Sequence, residues 1–431
     1  MKIDKKKCFL FLLGLLSYTQ FKLIGYIGIS EFVCYALAPF LFTKNIEKFR
    51  KWGFFPFLGL TFVWMLFVII SNIYNENQFV TSLKAFATVY SIFSISVCSF
   101  MLLYDKFDRI KWFLVGLFCS LILSIFIFQT GSDRTVGGEE MIGESAVDAV
   151  IEYKLFWAIR INAILELPIR TFFLKIPFIY SSCASLCMAG YALLTGGRSL
   201  FISALGSFFL LLQGRKLKKN PIKMRFHKNN ILLLFCCFLV IGTLGKTIYT
   251  YSAKAGYLGA EEKLKYEKQS RKGTSVMQLL MAGRGGTFIG LFAAFDKPIF
   301  GHGSQAIDKD YKYTLDFMEK YGDDLDNQRI HYKLRSGDRT IPAHSYIIGA
   351  WMSNGLGGLI FWIYVLWLIY ITLRENMYVV PEFFGWFAMA IPLRIWSIFF
   401  SPLGARVEIS VLLTCMLLAK SVRKQLLGFR T

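Results

Sequence analysis

The chain has 431 residues, 55% of them hydrophobic, with 43 phenylalanines and a mean hydropathy of +0.49. A soluble fold of this size has no single core large enough for that apolar surface. Repeated apolar runs approach the roughly 20 residues that cross a bilayer, so composition predicts an all-α polytopic membrane protein. The formal charge of +21 clusters in short connectors between those runs. That distribution speaks against nucleic acid as a partner and marks the cytoplasmic face of a membrane instead.

The N-terminus, MKIDKKKCFLFLLGLL, imitates a signal peptide but lacks a small-x-small cleavage site, so it reads as a retained first helix. Spans are predicted near 8–20, 23–43, 54–74, 80–104, 112–130, 176–194, 199–213, 231–251, 344–373, 383–400 and 406–420. Basic connectors at 44–51, 105–111 and 214–229 must share one side, while the acidic stretch 131–149 falls on the other. That parity needs one more crossing, and 150–169, with Glu152, Lys154, Arg160 and Glu166, is the candidate. Charges on a crossing helix face a bundle interior or cavity. A surface-lying amphipathic helix is the rival reading of the same segment. With the crossing, the count is about twelve spans.

Four regions follow: N-terminal helices over 1–130, central helices over 131–251, one large outer (periplasmic) loop over 252–343, and C-terminal helices over 344–431. All nine cysteines lie in apolar runs, a pattern of small buried hydrophobes rather than of a disulfide framework or a metal site.

Three polar motifs fall on the outer side. The first is Thr195-Gly196-Gly197-Arg198-Ser199, at the outer end of a span. The second is AGRGGTFIGLFAAFDKPIFGHGSQ, residues 282–305, which contains Gly283, Arg284 and His302. In the third, PAHSYIIGAWMSNGLGG over 342–358, His344 stands at the outer start of a long apolar helix. Each has a plain alternative: Arg198 as a snorkelling anchor, Arg284 as a solvated charge, His344 as an interface residue. As a set they suggest more. An arginine fork binds phosphate bidentately, glycines permit close backbone approach, and an imidazole can act as general base. A lipid-linked diphospho-sugar asks for that combination at that depth.

These motifs carry a resemblance. TGGRS resembles the T-G-S-R-x turn of the O-antigen ligase and O-antigen polymerase superfamily. AGRGG followed by DKPIFGHG resembles the superfamily's Gly-Arg, apolar helix and h-P-x-x-G-x-G pattern. His344-Ser345, nine residues, then Gly355-Leu356-Gly357-Gly358 is similar to the ligase signature H-[N/S/Q]-x9-G-x-x-G. The resemblance covers the chain from about residue 130 onward. It implies a GT-C-like transferase of the bacterial inner membrane, surrounded by inner-membrane lipid, needing no metal or other cofactor. The donor would be a glycan on undecaprenyl diphosphate, and the acceptor lipid A-core or another glycan. Carried over by position, Arg198 and Arg284 would hold the departing diphosphate and His344 would deprotonate the acceptor.

Gly197, Ser199 and Gly283 join the binding set by adjacency to those motifs. Arg394 lies within an apolar run and Arg406 begins the last span. His302 and Arg339 are near the motifs in sequence, and both read equally as surface residues. A ligase is the first expectation and a repeat-unit polymerase the alternative. A lipid-linked oligosaccharide flippase is less favoured, since no internal repeat is evident. A non-catalytic assembly protein would tolerate loss of His344.

Overall fold

The computed structural model describes residues 4–17, 19–22, 26–126, 161, 163–169, 178–194, 198–213, a few positions between 247 and 267, 276–321, 339–342, 344–379, 383–404 and 406–428. Gly197, the segment 131–160, the connector 214–229 and nearly all of the expected span 231–251 lie outside the described residues.

Among the described residues the chain is helical apart from one short hairpin. The N-terminal part comprises α1 (Lys5–Leu15), β1 (Gln20–Lys22) and β2 (Tyr26–Gly28), then α2 (Ile29–Lys44), α3 (Ile46–Lys51), α4 (Phe55–Tyr74), α5 (Phe79–Leu103) and α6 (Ile110–Phe126). The central part contributes α7 (Phe178–Leu194) and α8 (Arg198–Gln213). The remainder holds α9 (Val276–Asp296), α10 (Lys312–Tyr321), α11 (Tyr346–Asn354), α12 (Leu356–Arg374), α13 (Phe384–Phe400) and α14 (Arg406–Gly428). Three of these, α4, α5 and α12, are long and apolar enough to cross a membrane. Shorter apolar helices cover Leu200–Leu212, Gly285–Asp296 and Phe384–Phe400.

Most helices start and stop within a few residues of the predicted spans, because Lys/Arg-rich connectors and Pro or Gly punctuate the apolar runs. Two differences are instructive. The spans expected at 8–20 and 23–43 are trimmed by the hairpin, in which Gln20 pairs with Gly28 and Lys22 with Tyr26. The chain resumes as a helix at Ile29, where Glu31 reaches back to accept from the Gly28 amide at 3.1 Å. That contact satisfies one of the first-turn donors that a helix leaves open.

The second difference concerns His344. The single span expected over 344–373 is two helices, broken at Gly355, whose φ of 63° and ψ of −147° suit glycine alone. Tyr346 packs its ring on Trp362, and a Cβ on Gly358 would lie 2.6 Å from the Ala350 carbonyl. The two helices therefore fold back antiparallel. His344 stands at the foot of α11, not at the outer start of a long helix. At 1.5 Å per residue it is recessed about 13 Å below the Gly355 turn.

One end of the bundle is rich in charge. Lys6 pairs with Asp105 at 2.9 Å, Arg109 with Asp4 at 3.1 Å and with Asp105 at 2.7 Å, and Lys111 with Asp108 at 2.7 Å. Ser421 donates to the Trp52 carbonyl, and Arg423 donates to the Glu375 carbonyl at 2.7 Å. The start of α1, the ends of α5, α12 and α14 and the start of α6 all meet there. The Gly355 turn lies at the opposite end, called here the far end. Between the two, Phe49, Phe54, Phe57, Phe100, Phe361 and Phe387 are fully buried in one continuous apolar core.

The only described part of 150–169 is 161 and 163–169, whose Glu166 is buried, accepts from Ser181 Oγ at 2.8 Å and lies against Gly385.

Candidate functional site

The site is built from the foot of α11. Ser345 has extended backbone, and its Oγ caps the helix by accepting from the Ile348 amide at 3.1 Å. The same hydroxyl donates to the Ile398 carbonyl of α13 at 2.9 Å. A serine at this position satisfies an open first-turn donor and also pins the helix start to its neighbour. His344, one residue earlier, is half-buried.

Helix α9 closes against it from the other side. Thr287 Oγ1 donates to the His344 carbonyl at 3.2 Å. A Cβ on Gly286 would lie 2.6 Å from His344 Cδ2 and 3.0 Å from Pro342 Cβ, so only glycine lets the imidazole sit on the helix backbone. Gly283 and Arg284 are helical, and Gly285 packs on Phe317 of α10. The Gly-Arg-Gly-Gly-Thr stretch and the His-Ser pair, 57 residues apart in sequence, thus meet.

Arg198 is the first residue of α8. Gly206 lies against Pro392, and Ser207 Oγ donates to the Met389 carbonyl at 3.5 Å, so α8 packs on α13. The α8 start, with Arg198 and Ser199, lies about 12 Å along the helix from this crossing.

Above this level the two glycine motifs form one unit. The turn 297–303 docks on the α11–α12 turn. The His302 and Gly303 amides donate to the Met352 and Ser353 carbonyls at 2.8 and 3.0 Å, and the Leu356 amide donates to the Ile299 carbonyl at 2.9 Å. Gly301 and Gly303 have φ of 72° and 81°. A Cβ on Gly301 would lie 2.7 Å from the Met352 carbonyl, and one on Gly355 would overlap the Ile299 carbonyl. The nine-residue interval of the His-Ser-x9-Gly motif is the length of α11 from its cap to this turn.

The remaining candidate residues divide. Arg394 is buried and paired with Glu408, and Arg406 Nε lies 2.9 Å from Glu31 Oε1, so each guanidinium already faces a carboxylate. Such pairing offsets the cost of burying charge and holds α13, α14 and α2 together. The Arg406 Nη1 also donates to Thr88 Oγ1 at 3.3 Å. His302 belongs to the far-end turn rather than to the His344 foot. Its Nε2 bonds the Ala293 carbonyl at 2.8 Å and its ring meets Tyr313 edge-on. Burial pushes the His302 imidazole below its ordinary value, against the opposing pull of the Ala293 carbonyl. Arg339 is exposed, and its carbonyl accepts from the Asp308 amide at 2.6 Å.

The sequence reading passed over the asparagines of 71–78, SNIYNENQ, which join α4 to α5 and reach the glycine turn. Three asparagines within six residues were a usable signal, because short amide side chains bond backbone at turns. It also missed Glu31 and Glu408, which carry no motif.

Among the described residues no group of three or more His, Cys, Asp or Glu side chains is placed to hold a metal ion. Comparison with known proteins gives no match: no family model, no curated protein and no solved structure matches the chain.

Proposed function

We propose that this protein is a GT-C-like membrane glycosyltransferase of about twelve spans. It moves a glycan from undecaprenyl diphosphate to lipid A-core, or to another glycan, on the outer face of the bacterial inner membrane. The observation that carries this reading is the seating of His344 on the Gly286–Thr287 stretch of α9, two residues from Arg284. A candidate base beside a candidate anion-binding arginine, recessed from the far end, suits a substrate with an ionic head and a lipid tail.

In this reading His344 takes the proton of the acceptor hydroxyl as that oxygen bonds to the anomeric carbon of the glycan. The bond from that carbon to the diphosphate oxygen breaks, and undecaprenyl diphosphate leaves with its added charge. Arg198 and Arg284 neutralise that charge, usually the largest contribution to such a step. Gly197 and Gly283 let the backbone approach the phosphates, with Ser199 beside Arg198 in the binding set. Arg394 and Arg406 hold the helices around the site through their carboxylates, and His302 and Arg339 line its approach.

The His344-Ser345-x9-Gly355 spacing favours a ligase over a repeat-unit polymerase of the same chemistry. Deletion followed by gel profiling of surface polysaccharide tests this. Loss of all polymer on otherwise modified core supports the ligase, whereas single-repeat caps on the core assign the polymerase. An unchanged profile refutes both. Lipid-linked sugar that accumulates on the cytosolic face of the membrane would point to a flippase.

A further inference from the structure

The connector between α4 and α5 has no part in the chemistry above, yet it makes the densest set of side-chain bonds at the far end. Asn75 Nδ2 donates to the Gly301 carbonyl at 3.1 Å, while Asn75 Oδ1 accepts from Lys297 Nζ at 2.9 Å. Asn72 is buried, and its Oδ1 accepts from the Ser304 amide at 3.0 Å and from Asn77 Nδ2 at 2.7 Å. Asn77 fills the space beside Gly303, where a Cβ would overlap its amide. Also on α4, Ser71 donates to the Ser353 carbonyl at 2.8 Å and, lower down, Trp64 Nε1 donates to Asn354 Oδ1 at 3.1 Å. One rigid helix thus grips both the 297–304 turn and the α11–α12 turn.

Those two turns end the two helices that carry the site. Helices α9 and α11 run parallel, with Gly286 against His344, Gly290 against Ile348, Phe295 against Trp351 and Ile299 against Gly355. At the top, direct bonds join the two turns and α4 holds both, so α4 bears on the height of one helix relative to the other.

We propose that Asn72 and Asn75 are positioning residues: the α4–α5 connector is a clamp that fixes the offset between the Gly-Arg-Gly-Gly stretch and His344. This rests on the reading that Arg284 and His344 act on one substrate. Misplacement of about 1 Å can cost on the order of 100-fold in rate, so a clamp remote from the reacting atoms can still govern turnover.

The test uses the full-length protein in liposomes with an undecaprenyl-diphosphate-linked glycan and a core acceptor. It is joined to oxidative cross-linking of a Phe295→Cys, Trp351→Cys pair, whose native rings are 5.0 Å apart. Asn72→Ala and Asn75→Ala are each expected to lower kcat about tenfold, with donor KM changed less than about twofold and a lower disulfide yield at 295/351. Asn77→Ala is expected to recover part of the activity lost in Gly303→Ala, because it removes the atom the new Cβ meets. Asn75 is only part-buried, so its variant should insert normally even where the Asn72 variant does not. Unchanged kcat overturns the clamp, and so does a fall in kcat with an unchanged disulfide yield. If the unsubstituted protein transfers no glycan, the transferase reading fails. The disulfide yield then decides the clamp alone: lowered yield upholds it and unchanged yield overturns it.

Discussion

The two ends of the bundle are held by different physics. At the basic end the fastenings are ion pairs between long, part-exposed side chains, such as Lys6–Asp105 and Arg109–Asp4. Water screens them, and each contributes little. At the far end the fastenings are amide-to-backbone bonds and glycines packed on carbonyls, where a single added methyl has nowhere to go. Such contacts depend on fractions of an ångström. The contrast teaches where precision is built in: the end that tolerates no displacement holds the turns that end the helices bearing Gly286 and His344.

The comparison can be broken most sharply at the site itself. His344→Ala and Arg284→Ala should each lower glycan transfer on the order of 100-fold or more, with normal membrane insertion, as removal of a general base or an anion-binding group does. Near-native product from either variant would end its assigned role. Arg198→Lys should also fail, since an ammonium lacks the planar fork. Gly355→Ala comes next, with a destabilisation of about 2–5 kcal/mol from backbone strain and the overlap with Ile299, read as lower thermal stability of the purified protein. Gly286→Ala should insert and melt nearly as the native chain does while losing about tenfold in transfer, because the new methyl displaces the imidazole. Ser345→Ala removes a helix cap and the bond to Ile398, at about 1–2 kcal/mol in a denaturation experiment.

At the basic end, Lys6→Ala should change stability by less than about 1 kcal/mol and transfer not at all. Its pH signature has a definite sign. Burial pulls the Asp105 carboxyl upward, but hydrogen bonds from Lys6 and Arg109 outweigh it and hold the group below its ordinary value. A carboxyl depressed in the folded state adds stability above its unfolded pKa and loses it as pH falls through the folded value. Acid titration of the melting temperature should therefore show a shallower fall below about pH 4 in the Lys6→Ala variant than in the native chain. A large activity loss from this end would erase the contrast between the two.

Much of the helix layout was legible in the chain. The apolar runs of α4, α5, α7, α8, α13 and α14 coincide with predicted spans to within a few residues at their starts, because hydrophobic length and charged punctuation are local properties. The motif residues were legible as candidates for the same reason: Gly-Arg-Gly-Gly and His-Ser-x9-Gly are contiguous patterns. The break at Gly355 was not, since Leu356–Arg374 and Tyr346–Asn354 are both apolar and their reversal shows only when Gly358 meets Ala350. The roles of Glu31, Glu408 and the asparagines were hidden as well, because a polar side chain declares its partner only once distant helices are packed.

The sequence by itself determined that this is a helix-rich chain with membrane-length apolar segments, basic connectors between them and three polar motifs. Those features depend on composition and spacing along a single stretch of backbone. Only the tertiary structure decided that His344 is recessed at the foot of a short returning helix, that Gly286 makes room for its ring, and that α4 holds both of the turns above. Those features depend on which atoms from distant segments share the same few ångströms, and close packing, unlike hydropathy, is a property of pairs.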